Sequence, residues 1–250
     1  RTVAVVAAED TRRIRGLLAH LDAHPKVLSF HAHSPERRTE VLLEMLADGR
    51  DVALVTDAGT PGISDPGETL VEAVRAAGHT VVPIPGPSAV VTALSASGLP
   101  GDRYLFLGFI PRKGKGRERL LRSAAGCEWT VVLYEAPSRL VDLLRDLNEA
   151  AGEDRPAVVC RELTKLHEEF RAGTLSELAA YYEANEPRGE ITLVLSGGTP
   201  QDETPTVEDT AVRAAQLLAT GLTRKAVVQQ LVSESGVARN DAYRIVTSLP

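Results

Sequence analysis

Two loops concentrate the residues whose types and spacing suit chemistry. The first is Asp57-Ala58-Gly59-Thr60-Pro61-Gly62-Ile63-Ser64-Asp65-Pro66-Gly67, eleven residues with three glycines, two prolines and two aspartates. Glycines let backbone approach a ligand, prolines stiffen the path, and an aspartate suits a ribose hydroxyl or a cationic group. The second is Pro85-Gly86-Pro87-Ser88-Ala89, in which small residues leave room for a ring or chain to pack. The plainer alternatives are a long connector whose Asp65 caps a helix and a rigid turn before another helix. Long loops in compact domains are usually functional, which favours a binding role for the first.

A strand is expected ahead of each loop. Val3–Ala8 and Asp51–Thr56 read as short buried strands, and Thr80–Ile84 as a third. Helices are expected from Asp10 to Leu21, over Val41–Ala47, from an Asp65 N-cap and Pro66 to Ala77 with Gly78 beyond it, and over Ala89–Ser97 behind Ser88. This alternation predicts an α/β lobe with a largely parallel sheet, which binds ligands at the carboxyl ends of its strands. Gly98-Leu99-Pro100-Gly101 begins the crossing to a second α/β lobe. That lobe has strands near Thr130–Tyr134, Ala157–Cys160 and Ile191–Leu195, and helices near Gly116–Ser123, Ser138–Ala150 and Leu175–Ala184. Gly197–Thr206 reads as a polar linker. Val207–Leu249 is helical in pattern, with Thr223 as an N-cap and Gly236 as a break. The expected division is residues 1–104, 105–198 and 207–250.

Common nucleotide and hydrolase signatures are missing: there is no G-x-G-x-x-G after a strand, no P-loop, no H-E-x-x-H and no G-x-S-x-G. Cys127 and Cys160 are too few for a disulfide framework, and with scattered histidines no metal is expected. A reducing cytoplasm is the expected compartment. No apolar run approaches the roughly 20 residues that span a bilayer, and Arg1–Ala8 is too short for a secretory leader. At 250 residues, 43 % hydrophobic and 25 % charged, the chain has an ordinary globular composition, with a core of aliphatic residues because aromatics are only 4 %. A net charge of −6 argues against a protein coated in nucleic acid, yet Arg112-Lys113-Gly114-Lys115-Gly116-Arg117-Glu118-Arg119 packs five basic residues around one acid. That segment suits gripping phosphates, or is simply a solvated basic surface.

Seven segments occur in order: Ala8–Arg13, Asp57–Gly67, Pro85–Pro100, Phe109–Lys113, Tyr134–Arg139, Arg161–Lys165 and Gly189–Leu193. Together they resemble the ribosomal RNA cytidine 2′-O-methyltransferases of the tetrapyrrole-methylase superfamily. The resemblance implies a two-lobed α/β fold with a small C-terminal helical extension, S-adenosylmethionine in the cleft between lobes, a homodimer, and ribosomal RNA or the small ribosomal subunit as partner. It implies cofactor contacts from Ala58, Gly59, Thr60, Ile63, Ser88, Ala89, Glu135 and Leu163; Asp57 is added for its place at a strand end. Proton-handling candidates are Glu9, Asp10, Lys113, Glu135, Arg139 and Glu162. RNA-contacting candidates are Arg12, Arg13, Arg112, Lys113, Lys115, Arg117, Arg119 and Arg139, with Arg15, Arg37 and Arg38 extending the track. The pattern departs from the family at Ser138, where histidine is usual, and at Ser34, where asparagine is usual. It also implies a strand and a Gly/Pro/Asn loop ahead of the point at which this chain starts. Two other readings stand beside it: a methyltransferase of a small tetrapyrrole, and a non-catalytic ribosome- or RNA-binding protein. The basic segment and helical tail favour RNA, since a small macrocycle needs neither.

Overall fold

The computed structural model describes residues 2–152, 154–198, 207–235 and 239–249. The chain divides into two compact units, Arg1–Ala124 with Trp129–Ser196, and Ala125–Glu128 with Gly197–Pro250.

The first unit holds two sheets. The smaller has the order β2-β1-β3, from β1 (Val5–Ala8), β2 (Lys26–Ser29) and β3 (Val52–Val55), all parallel. Every residue of β1 is buried, as a central parallel strand with both faces covered requires. Three helices accompany this sheet: α1 (Thr11–His20), α2 (Glu36–Ala47) and α3 (Glu68–Ala76). Asp10 caps α1 as its sequence position predicts, its carboxylate accepting from Arg12 N at 2.8 Å. Leu42, Met45, Leu70 and Val74 of α2 and α3 close over Val5, Ala7 and Phe30.

The larger sheet has the order β4-β5-β8-β6-β7, from β4 (Tyr104–Phe109), β5 (Thr130–Glu135), β6 (Pro156–Arg161), β7 (Glu169–Thr174) and β8 (Ile191–Leu195). Only β4 and β5 are parallel; the rest pair antiparallel. Its helices are α4 (Ala89–Ser97), α5 (Lys115–Ala125), α6 (Leu140–Ala151) and α7 (Leu175–Ala184). In α6, Leu140, Leu143, Leu144 and Leu147 recur at helical spacing and are fully buried. A reciprocal cap between Thr174 and Glu177 starts α7. Helix α4 follows the smaller sheet in sequence but packs on the larger one, where Val90, Ala93 and Leu94 meet Val132, Val158, Cys160 and Val194. The second unit is a bundle of α8 (Val207–Ala219), α9 (Arg224–Ser235) and α10 (Arg239–Ser248), closed by Leu217, Val227, Leu231, Ile245 and Val246.

The structure corrects two expected elements. Thr80–Ile84 is in no ladder, and Val82 and Ile84 are 70 % and 81 % exposed. A β-branched run forms a strand only beside an open partner, and neither sheet pairs with this one. Asp65 is not an N-cap: α3 starts three residues later behind Gly67, at φ 146°, with no side-chain cap bond. Strands β2, β4 and β7 escaped the sequence reading. Residues 199–206 of the expected linker, and Gly236, lie outside the described residues.

Candidate functional site

The first Gly/Pro-rich loop leaves the carboxyl end of β3, as expected for a ligand loop in a parallel sheet. Its path is set by its end. A Cβ on Gly67 would lie 2.8 Å from Leu54 Cδ2 and 3.3 Å from Gly62 N. No larger residue permits that packing at φ +146°, so glycine folds the loop back on the strand that launched it. Ser64 takes a left-handed φ of 58° in the same turn. Together these turns direct Ala58, Gly59, Thr60, Ile63, Ser64 and Asp65 onto one wall of a cavity of about 370 Å³.

Ser88 and Ala89 at the start of α4 form a second part of the wall. The larger sheet supplies the rest: Phe109 from β4, Tyr134 to Pro137 from the end of β5, and Gly189 to Thr192 leading into β8. Antiparallel pairing places Glu135 opposite Ile191, which brings these two segments side by side. Gly189 is the tight point: at φ +85°, a Cβ there would overlap the Glu162 carboxyl. That carboxylate accepts from Glu190 N at 2.8 Å and from Lys165 Nζ at 2.8 Å, anchoring the segment.

Charge is distributed unevenly around the cavity. The Glu135 side chain is wholly inaccessible; it accepts from Arg139 Nη2 at 2.7 Å and from Ala136 N at 2.8 Å. Arg139 also donates to the Ile110 carbonyl, tying the end of β5 to the segment after β4. Among the described residues no cation pairs with Asp65 in this way. Burial, and then the nearby carboxylates of Glu9, Asp57 and Glu190, push its pKa above the ordinary carboxylate value, against a lowering contribution from Thr56. Burial and then the Asp65 charge likewise raise the Tyr134 phenol. A carboxylate more basic than usual, on the wall of an otherwise apolar cavity, can accept a proton.

Six of the nine predicted cofactor residues line the cavity on the first unit's loops: Ala58, Gly59, Thr60, Ile63, Ser88 and Ala89; Glu135 joins them from β5. Leu163 does not line it and instead packs against the core beneath α4. Asp57 also lies off the wall. Its Oδ1 accepts from Asp10 N at 3.3 Å, its N donates to Glu9 Oε2 at 3.2 Å, and Arg13 approaches at 3.5 Å. The candidates Glu9, Asp10 and Asp57 thus join the ends of β1 and β3. The Arg12 hydrogen bonds hold the Asp10 carboxyl at about 2, so at neutral pH it is an ionised cap. Arg112 and Lys113 are exposed on the segment after β4, and Lys115 and Arg119 are exposed at the start of α5. Arg117 is drawn inward to Asp146, with Nε at 2.9 Å. Sequence reasoning did not single out Ser64, Asp65, Phe109, Tyr134 or Gly189–Thr192 as wall residues. Several sit inside the ordered segments it identified, but which residues face the cleft depends on the pairing of β5 with β8. Among the described residues no group of His, Cys, Asp and Glu is placed to hold a metal, and no helix is long and apolar enough to cross a membrane.

Comparison with known proteins fits this geometry. Residues 1–179 match the family model described as Tetrapyrrole (Corrin/Porphyrin) Methylases. The chain is similar to the "Ribosomal RNA small subunit methyltransferase I" of Synechocystis sp., at 45 % identity across 100 % of this chain and 90 % of the relative. The Escherichia coli protein of the same name is 40 % identical across 98 % of this chain and 85 % of its own length. Among solved structures, the methyltransferase CobJ superposes with a TM-score of 0.56 at 20 % identity, covering 79 % of this chain and 95 % of that one. The uroporphyrin-III C-methyltransferase of Thermus thermophilus, solved with S-adenosyl homocysteine, gives 0.54 at 19 % identity, over 78 % and 85 % of the two chains. At these identities the solved structures speak for the fold.

Proposed function

The chain belongs to the tetrapyrrole (corrin/porphyrin) methylase family, and on that premise we propose that it methylates a ribose 2′-hydroxyl of a cytidine in small-subunit ribosomal RNA, using S-adenosylmethionine. The observation that carries the reading is the cavity of about 370 Å³ on which the first Gly/Pro-rich loop, Ser88 and Ala89 of the second, the end of β5 and the start of β8 converge. Its donor set fits the cofactor. Ile63, Ala89, Phe109, Pro137 and Ile191 offer apolar surface for a purine, while Asp65 offers a carboxylate to a cation; Glu190, also on the wall, is already paired with Lys165 at 3.0 Å. Full-length relatives named for small-subunit ribosomal RNA favour RNA over a small tetrapyrrole. The exposed basic segment Arg112–Arg119, with Arg12, Arg13 and Arg139, supplies phosphate contacts.

When bound, S-adenosylmethionine supplies an electrophilic methyl group on a sulfonium. The chain's own work is to align a hydroxyl with it and take away the proton. Asp65, raised in basicity and facing the cavity, is the proposed proton acceptor. Glu135 and Arg139 hold the β5 turn that forms the opposite wall, and Tyr134 lines the same cavity as Asp65. The assembly we propose is a homodimer acting in the cytoplasm, where small subunits are made; sedimentation of the purified chain tests the first part.

Calorimetric titration of S-adenosylmethionine into wild type, Gly59→Arg and Ser88→Trp tests the cofactor site, followed by tritium transfer to small-subunit RNA. Wild type should bind and both bulky variants should lose at least tenfold in affinity. Binding by the variants at wild-type affinity refutes the site. Cofactor binding without transfer to RNA returns the reading to a small tetrapyrrole, and no cofactor binding at all leaves a binding protein.

A further inference from the structure

A second cavity, about 530 Å³ and polar, lies across the β5–α6 turn from the first. Ala136 and Pro137 face the cleft, while the next two residues, Ser138 and Arg139, line the second cavity. The Glu135–Arg139 ion pair at 2.7 Å therefore lies between the two, its carboxylate buried behind the cleft wall and its arginine on the lining of the second cavity. Arg112, Arg117 and Arg145 complete the basic lining, with Asp142 and Asp146 between them.

Most of the guanidinium groups already hold a carboxylate. Arg117 holds Asp146, Arg139 holds Glu135, and Arg145 holds Glu183 at 2.7 Å, with Asp142 acting on Arg145 only through space. Among the described residues Arg112 has no ion-pair partner. Of the four guanidinium groups lining the concavity, three are thus paired and Arg112 brings the unpaired positive charge. Arg117 and Arg139 are locked in place by Asp146 and Glu135, and Arg112 is free to close on an anion. A fixed guanidinium loses little entropy on meeting a phosphate, and its fork matches two phosphate oxygens. Ser138 adds a hydroxyl donor with little bulk.

We propose that this cavity is a phosphodiester subsite, which grips the RNA backbone beside the nucleotide whose ribose enters the cleft. The inference rests on the RNA reading above and adds to it a location and a ligand. It separates Arg112, Arg117, Ser138 and Arg139, which share the concavity, from Lys115 and Arg119, which lie outside it. The ion pair gives the subsite a second role: the residue that holds the cleft wall also meets the backbone, so seating a phosphate fixes the register of the ribose.

The test measures binding of a fluorescent single-stranded RNA by anisotropy over a range of salt, for wild type, Arg112→Ala, Ser138→Asp and the double variant. Both positions are exposed, and among the described residues neither side chain makes a hydrogen bond or ion pair, so folding is retained. Arg112→Ala should weaken binding about 5- to 20-fold, and reduce the slope of log affinity against log salt by about 0.7, the value for one phosphate on a single strand. Ser138→Asp should weaken it at least as much. The double variant should bind like the weaker single variant, because both act on one phosphate. S-adenosylmethionine affinity should stay within twofold in all of them. An unchanged slope, or losses that multiply in the double variant, overturns the subsite while leaving the methyltransferase reading intact. Failure of wild type to bind RNA overturns both, and failure to bind the cofactor counts against the methyltransferase reading alone.

Discussion

Replacing Arg139 by Met should destabilise the first unit far more than an ordinary surface substitution. The Glu135 side chain has no exposure and Arg139 only 23 %, and they meet at 2.7 Å. Removing the guanidinium leaves the carboxylate inside the protein with one remaining donor, Ala136 N, and releases the Ile110 carbonyl from its partner. Removing one member of a buried pair costs about 3–5 kcal/mol, and the partial exposure of Arg139 places this case near 3. For a unit of this size that corresponds to a fall in melting temperature of about 6–12 °C. Glu135→Gln should cost only about 1 kcal/mol, since the uncompensated charge then belongs to the more exposed partner. The double variant, with no charge left inside, should be less destabilised than the sum of the two by about 2 kcal/mol. Urea denaturation of the four proteins gives each corner of the cycle. A loss below about 1 kcal/mol for Arg139→Met, or strict additivity in the double variant, would refute the claim that this pair holds the β5 turn.

Two further outcomes follow from the first loop. Gly67→Ala forces a Cβ into Leu54 at a φ that alanine avoids, and should cost about 2–3 kcal/mol. It should also weaken S-adenosylmethionine binding because Ser64 and Asp65 move with the turn; wild-type affinity by calorimetry would sever that link. Asp65→Asn should lower methyl transfer by about 10²-fold or more and remove the acid limb of the pH–rate profile, which in wild type lies above the ordinary value of 3.8. Its stability effect has the opposite sign. The folded state holds the Asp65 proton more tightly than the unfolded chain, so stability present at low pH is lost as pH rises through the raised value. Near neutral pH Asn removes that loss, and the melting temperature should rise. A variant both slower and less stable would count against the assigned environment.

The sequence alone was enough for the elements whose signals are local. Asp10 caps α1 because a short carboxylate ahead of a helix finds the amide of Arg12, and the Leu140–Leu147 spacing makes α6 amphipathic wherever it packs. The two loops were legible for the same reason, since glycine and proline act on their own backbone, and seven ordered segments pointed to a shared fold. Tertiary structure decided what depends on distant partners. Thr80–Ile84 has the composition of a strand, but no ladder receives it; β2 and β7 exist because β1 and β6 stand beside them. Asp65 reads as a cap until the turn at Gly67, forced by contact with Leu54, moves the helix start and leaves its carboxylate on the cavity wall. Antiparallel pairing of β5 with β8, 56 residues apart at Glu135 and Ile191, closes the cavity. Local chemistry therefore fixed which residues were equipped to act, and long-range packing fixed which of them face one another.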